Sequence, residues 1–359
     1  MLRVSIVDGF CPRAYDHRSL TTEPMGGTES AVVLLAEALA GNACVEVIQH
    51  CRTDSCTSPG NVRYRGRIGN DWRTEASMAR RDVTIIINSP KLMALWRRKD
   101  PGCQIILWRH NFLSNRHRRL FDELEQFDTR MVCVSRFHQM DSRRAQRGFM
   151  TSDRTSFIPN PVQVYHQRQV QRNPNHLLFC SSPHKGLEQV IERFDEVRRQ
   201  IPELQLRICN PGYLRDPVVK NSGIVVLGAL TRPQLHTEMA RALCVFYPQT
   251  RFRETFGLVG AEANALGTPV LAPAGMGALS EVLGGREQLL RSIDTAAILN
   301  QLEKWRSGLT PPVHGRSEFD PQSVARHWMT LMGRRDTDKS SRTTTVQKHH
   351  RAVAEPGEA

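Results

Sequence analysis

The chain has 359 residues, 40% of them hydrophobic, which is enough for two domains of roughly 150 residues, each with its own core. Its formal charge of +13 calls for an anionic partner without choosing among nucleic acid, an acidic lipid surface and a phosphorylated small molecule. No apolar run reaches the length of a membrane span, and nine cysteines without a CxxC pair argue against a disulfide framework or zinc site and for a reduced, cytoplasmic setting.

In chain order, Leu2-Arg3-Val4-Ser5-Ile6-Val7-Asp8 opens as a strand, since its apolar run is too short, and too interrupted by Arg3 and Asp8, for a signal peptide. Met25-Gly26-Gly27-Thr28-Glu29-Ser30-Ala31 then leads into an amphipathic helix over 28–40. Its paired glycines let backbone approach a ligand closely and Thr28 is placed to cap the helix, although a plain flexible helix entry fits the same residues. Strands follow over 45–49, 83–88, 104–108 and 130–134. Between and after them lie basic clusters at Arg97-Arg98-Lys99, Arg116 with Arg118-Arg119, and Arg143-Arg144 with Arg147. Few aromatics accompany them, so nucleic acid is unlikely as a partner, whereas a solvated face or an anionic membrane surface fits.

Pro159-Asn160-Pro161 and the polar stretch 165–175 interrupt the pattern and read as the inter-domain linker. The second half restarts with strands over 177–180, 205–209, 223–227, 243–247 and 269–272, and helices over 187–200, 232–241, 257–266 and 322–332. Strands alternating with helices predict an α/β fold with an open, mostly parallel sheet in each half. The resulting division is 1–165, 166–318, a last helix over 319–332, and a polar tail over 333–359 whose composition reads as disordered.

Two stretches of the second half carry chemistry. In Leu177-Leu178-Phe179-Cys180-Ser181-Ser182-Pro183-His184-Lys185-Gly186-Leu187 a strand runs into a tight turn with Lys185 at a helix entrance, a setting that suits phosphate, though a Pro-Gly turn with a solvated lysine is the plainer alternative. In Arg253-Glu254-Thr255-Phe256-Gly257-Leu258-Val259-Gly260-Ala261-Glu262, Glu254 sits at a helix mouth and Glu262 is the one charged side chain on an apolar helix. A carboxylate there needs a partner, and two neighbouring hydroxyls, such as those of a ribose, each donate one O–H bond to it.

These landmarks together resemble the retaining glycosyltransferases of the GT-B type, in family 4 of the group 1 enzymes. The Glu254 to Glu262 signature continues into Ala263-Asn264-Ala265-Leu266-Gly267-Thr268-Pro269-Val270 and Gly275-Met276-Gly277-Ala278-Leu279-Ser280-Glu281-Val282, similar to the family's glycine-rich turn ending in a glutamate. Gly26-Gly27-Thr28-Glu29 resembles its amino-terminal glycine loop, Trp108-Arg109-His110-Asn111 its histidine segment, Cys133-Val134-Ser135-Arg136-Phe137 its serine turn, and Ile158-Pro159-Asn160-Pro161-Val162 its inter-domain entry. The likeness covers about residues 1 to 332.

The resemblance implies two Rossmann-like domains facing each other across a donor cleft. It further implies transfer of a sugar from a nucleotide diphosphate donor to a glycan, lipid-linked or other acceptor, with retention, and with neither metal nor cofactor. On matching positions it makes Glu254, Lys185 and His110 catalytic: Glu254 holds sugar hydroxyls, Lys185 stabilises the departing diphosphate, and His110 touches the sugar. Gly26, Gly27, Ser182, Phe256, Gly257, Leu258 and Glu262 then bind the donor, Glu262 through its ribose. Glu254 as a mere helix cap and His110 as a satisfied core histidine are the competing readings. The chain departs from the family in having no arginine in Phe179-Cys180-Ser181-Ser182-Pro183, so a second phosphate cation must come from elsewhere, with Arg251 and Arg253 as candidates, or be absent. A nucleotide-sugar epimerase or phosphorylase of similar architecture, and a non-catalytic basic scaffold on membrane or nucleic acid, are the alternative functions.

Overall fold

The computed structural model describes residues 1–78, 80–114, 117, 119–145, 154–165, 170–210 and 221–333. The polar tail from 334 onward, part of the linker, and Arg116, Arg118 and Arg147 of the basic clusters lie outside the described residues.

The first half contains strands β1 (Leu2–Asp8), β2 (Ala43–Gln49), β3 (Ser55–Thr57), β4 (Arg63–Gly66), β5 (Val83–Ile87), β6 (Gln104–Arg109), β7 (Thr129–Cys133) and β8 (Thr155–Phe157). Its helices are α1 (Ser19–Thr22), α2 (Gly27–Leu39), α3 (Trp72–Met78), α4 (Pro90–Lys99), α5 (Leu120–Gln126) and α6 (Arg136–Ala145). The second half contains β9 (Asn173–Phe179), β10 (Gln205–Asn210), β11 (Ile224–Ala229), β12 (Ala242–Phe246), β13 (Val270–Pro273) and β14 (Leu289–Leu290). Its helices are α7 (Leu187–Arg198), α8 (Arg232–Arg241), α9 (Leu258–Ala265), α10 (Leu279–Val282), α11 (Thr295–Arg306) and α12 (Pro321–Gly333).

The strands form two sheets, in the orders β3-β4-β2-β1-β5-β6-β7-β8 and β11-β10-β9-β12-β13-β14, parallel throughout except where β3 pairs with β4. Each order doubles back beside its first strand, at β1 next to β5 and at β9 next to β12, which is the Rossmann arrangement with its ligand crevice beyond the carboxyl ends of those strands. The first sheet is buried on both faces, as helix-covered parallel sheets must be. Val4, Ile6, Ile106 and Trp108 pack into one core, while their neighbours Val7, Ile105 and Leu107 pack into another on the opposite face.

Strand β9 begins at Asn173, within the stretch read from sequence as linker, because its polar start is paired on both sides, Asn173 with Ala242 of β12 and His176 with Gln205 of β10. Beyond α11 the chain returns to the first half, where the Val162 N–H donates to the Phe319 carbonyl at 2.8 Å. Helix α12 lays Val324, Ala325, Trp328 and Met332 into the same core as α2, and Trp328 meets Trp108 edge-on at 5.2 Å.

Strand β4 has no apolar alternation, and an ion network holds it. Arg65 donates through Nε to Glu46 and through both terminal nitrogens to Glu75, each at 2.8 Å. Arg81 completes the cluster on Glu75 and donates to Ser5 Oγ at 2.8 Å. Burial works to raise the Glu75 carboxyl, but the Arg65 hydrogen bonds, the Ile68 N–H and both guanidinium charges outweigh it and hold it below the usual carboxylate range.

The basic clusters are partly structural. Arg97 donates to the carbonyls of Phe127, Asp128, Pro101 and Cys103, and Arg143 to Thr155, which leaves Arg98, Lys99, Arg119 and Arg144 as exposed members among the described residues. Among the described residues no helix is long and apolar enough to cross a membrane.

Candidate active site

The carboxyl end of β9 delivers Cys180 to Lys185, and that of β12 delivers Tyr247 to Glu254, so the two stretches flank the crevice of the second sheet. There the Lys185 ammonium stands 3.0 Å from each oxygen of Glu254 and 4.7 Å above the Phe252 ring. The Tyr247 hydroxyl donates to Glu254 Oε1 at 3.0 Å. Glu254 therefore does more than cap α9, which begins only at Leu258 with Gly257 as its cap.

The backbone at Glu254 is fixed from beneath by the glycine-rich turn. The Ala278 N–H donates to the Glu254 carbonyl at 2.9 Å, and Gly277 pairs with Glu254 as an isolated parallel bridge. Gly277 has φ of +72°, and a Cβ there would lie 2.2 Å from the Glu254 carbonyl oxygen, so no larger residue fits.

Glu262 is 2% exposed on α9, and the partner it has here is Arg232, the first residue of α8. The guanidinium donates to Glu262 Oε1 through one terminal nitrogen at 2.7 Å, and its other terminal nitrogen lies 2.6 Å from the same oxygen. His236 Nε2 stands 3.8 Å from Oε2. Burial pushes the Glu262 carboxyl up, while the Arg232 charge and then His236 bring it down to a net value below the usual range. Arg232 reaches across the domain boundary as well: its Nε donates to Ser30 Oγ of α2 at 3.1 Å, and Ser30 Oγ donates to the Gly26 carbonyl at 2.8 Å.

Thr255 binds the two halves together at the same level. Its hydroxyl donates to the His110 carbonyl at 2.8 Å, and its carbonyl accepts the Ser135 hydroxyl at 2.5 Å. Close by, the Phe137 N–H donates to Glu281 at 2.8 Å and Arg253 pairs with Asp141 at 2.9 Å. The Phe256 ring is anchored in the first core, edge-on to Phe319 at 5.1 Å, so only its backbone is available to a ligand. A Cβ on Gly27 would lie 2.8 Å from Leu258 Cδ1, which shows how near the glycine loop of α2 comes to the mouth of α9.

His110 follows β6 and is 7% exposed. Its Nε2 is buried with no hydrogen-bond partner among the described residues, so the fold leaves that nitrogen unsatisfied. Burial, then the His138 and Arg109 charges, lowers its pKa to about 3, so the ring is neutral and able to hydrogen-bond a hydroxyl. His138 is held neutral similarly: burial lowers it to about 4 against the opposing bond of its Nε2–H to the Asn111 carbonyl. Both folded histidines refuse protons that the unfolded chain accepts near its ordinary value of 6.5. Their contribution to stability is therefore complete above that value and is lost as pH falls from it through about 4 and about 3. Denaturant midpoints are expected to decline over that window, and a His110→Gln variant is expected to decline less steeply.

A cleft of about 510 Å³ joins these groups. Gly27, His110, Ser182, Lys185, Glu254, Phe256, Gly257, Leu258 and Glu262 all line it, together with Arg232, Asn210, Asn160 and Thr28. Gly26 stands behind it as the N-terminal cap of α2, which begins at Gly27, so Thr28 lies within the helix and is not its cap. Neither arginine proposed as the second cation is in the cleft: Arg251 pairs with Glu188 at 2.6 Å and is exposed, and Arg253 is held by Asp141 and stacks on Phe112 and Phe137. The cation that is there, Arg232, reads in sequence as an ordinary helix start. Among the described residues no three metal-ligating side chains gather into one cluster, and the Asp-x-Asp pattern Asp336-Thr337-Asp338 falls outside them.

Residues 174–305 match the family model described as glycosyl transferases group 1. Over nearly its whole length the chain is similar in structure to OtsA, a trehalose-6-phosphate synthase, with a TM-score of 0.63, 10% identity, and 93% of this chain and 99% of that one covered. It is also similar to AviGT4, a glycosyltransferase involved in avilamycin A biosynthesis, with a TM-score of 0.59, 17% identity, and 92% and 97% covered. TarM of S. aureus, in complex with fondaparinux, α-GlcNAc-glycerol and UDP, gives a TM-score of 0.53 at 12% identity, with 79% and 62% covered. No curated protein sequence matches the chain. The fold is thus the two-domain GT-B architecture of glycosyltransferase structures.

Proposed function

We propose that this GT-B chain, whose second half carries a group 1 glycosyltransferase domain, moves a sugar from a nucleotide diphosphate donor to an acceptor with retention of configuration and without a metal. The observation that carries the proposal is the gathering of Lys185, Glu254, Glu262 and the unpartnered Nε2 of His110 on one cleft lined by both domains. Glu254 and His110 offer an acceptor and a neutral ring to sugar hydroxyls, and Glu262 offers its oxygens to a ribose. Lys185 places a fixed positive charge where the leaving diphosphate gains negative charge, which assists the transition state more than the ground state.

In a retaining reaction of this kind the acceptor hydroxyl attacks from the face that the diphosphate leaves, and a leaving phosphate oxygen takes its proton. The protein's part is to position the reactants and to exclude water between the domains. A glycan or lipid-linked saccharide is the acceptor class we propose. TarM, seen with UDP and saccharides, offers a parallel at the level of fold. Exposed Arg98, Lys99 and Arg144 suit a peripheral position on the inner face of an anionic membrane.

Thermal unfolding against a panel of nucleoside diphosphates and their sugars tests the reading. One base is expected to stabilise the protein by about 2.7 kcal/mol at a hundred times its dissociation constant. A midpoint unmoved by every diphosphate would remove the nucleotide-sugar reading and favour a non-catalytic basic scaffold.

A further inference from the structure

Among the described residues, each lysine and arginine that lines the cleft is already bound to a carboxylate of the same cleft. Lys185 is held by Glu254, with both oxygens at 3.0 Å, and Arg232 by Glu262 at 2.6 and 2.7 Å. Each pair is neutral within itself, so this part of the cleft presents almost no net charge to an arriving diphosphate. The two carboxylates are also those that would face neutral hydroxyls, one set on either side of the diphosphate of a nucleotide sugar. From these facts, and resting on the donor-binding reading above, we infer that the donor enters by exchange of ion pairs, and that Arg232 is the second diphosphate cation.

In that exchange the ribose hydroxyls take over Glu262 and the sugar hydroxyls take over Glu254. The guanidinium and ammonium so released turn to the diphosphate, which lies between ribose and sugar. Every buried charge has a partner before and after, which matters because a buried ion left alone costs several kcal/mol. A guanidinium suits the task, since its planar fork gives two parallel N–H bonds to phosphate oxygens. Its present place is also apt: through Ser30 Oγ it is tied to Gly26 at the N-terminus of α2, whose 13 residues point the positive end of a helix toward the same side of the cleft.

The exchange separates the two halves of the nucleotide in a measurable way. A nucleoside must break the Arg232 to Glu262 pair and returns nothing to the guanidinium, whereas a nucleoside diphosphate supplies the replacement anion. Calorimetric titration of uridine, guanosine and adenosine beside their diphosphates is the test, with the wild-type chain and the variants Arg232→Gln and Arg232→Lys. The diphosphate of the preferred base is expected to bind at least a hundredfold more tightly than its nucleoside in the wild type. In Arg232→Gln that ratio is expected to shrink at least tenfold while the nucleoside binds as well as before or better, because Glu262 is already free. Arg232→Lys is expected to recover part of the ratio.

Should Arg232→Gln fold poorly around an unpaired Glu262, Arg232→Gln combined with Glu262→Gln removes both charges together, and the shrunken ratio should persist. A ratio unchanged in the Arg232 variants, or nucleoside and diphosphate weakened by the same factor, would overturn the inference while leaving the donor reading intact. A wild-type protein that binds no diphosphate would overturn both.

Discussion

Lys185→Ala is expected to lower turnover by on the order of a hundredfold or more while the protein still folds. The rate effect follows from where charge develops: the ammonium stands at the crevice beside β9 and β12, against Glu254 and above Phe252, and the leaving diphosphate becomes more negative as the sugar departs. The loss of stability should be moderate, because the lysine side chain is 25% exposed while Glu254, at 10%, is left without its cation. Glu254 also keeps the Tyr247 hydroxyl after the lysine is gone. The measurement is turnover of the donor found by thermal screening, with the unfolding midpoint taken on the same preparation. Full turnover in a folded Lys185→Ala protein would exclude the lysine from the reaction.

The largest loss of stability is expected at Glu75, far from that chemistry. Glu75→Ala leaves Arg65 and Arg81 buried without the carboxylate that both hold, and removing one partner of a buried ion cluster costs about 3–5 kcal/mol. That is a large share of the 5–15 kcal/mol typical of a folded domain. The Arg81 guanidinium lies 5.9 Å from the Trp96 ring centre, and Trp96 is one of five tryptophans whose fluorescence follows urea unfolding. An unfolding midpoint equal to that of the wild type would show the cluster to be energetically neutral.

Glu75 also illustrates where sequence patterning stops being legible. The ten strands expected from apolar runs are all present, and both sheets have the doubly wound order expected of alternating strands and helices. Strands β3, β4, β8 and β14 give no such signal: three are two or three residues long, and Arg63-Tyr64-Arg65-Gly66 has a single apolar side chain. Arg65 is buried because Glu46 and Glu75 neutralise it, a contact no local pattern encodes.

The cleft shows the same division. Glu254, Glu262 and Lys185 stand out locally, being charged residues on apolar or turn segments, whereas Arg232 lies in Thr231-Arg232-Pro233, a commonplace helix start. The one signal pointing to it is indirect: a carboxylate on an apolar helix needs a partner, for which ribose hydroxyls serve as well as a cation, and the sequence does not say which of 49 lysines and arginines is near. Arg251 and Arg253 were nearer in sequence, but they extend away from the cleft to Glu188 and Asp141.

The hydroxyl of Thr255 has a bearing on timing. It lies next to Glu254 in the chain yet is tied to His110 in the other domain, and its own carbonyl is tied to Ser135. Parting the domains to admit a donor or release a nucleotide must break both bonds, and with them the register between the carboxylate and the imidazole. In the function proposed above, such a site is competent only while shut, so a donor lodged in the open protein would wait intact, sheltered from reaction with water until the two halves meet around it.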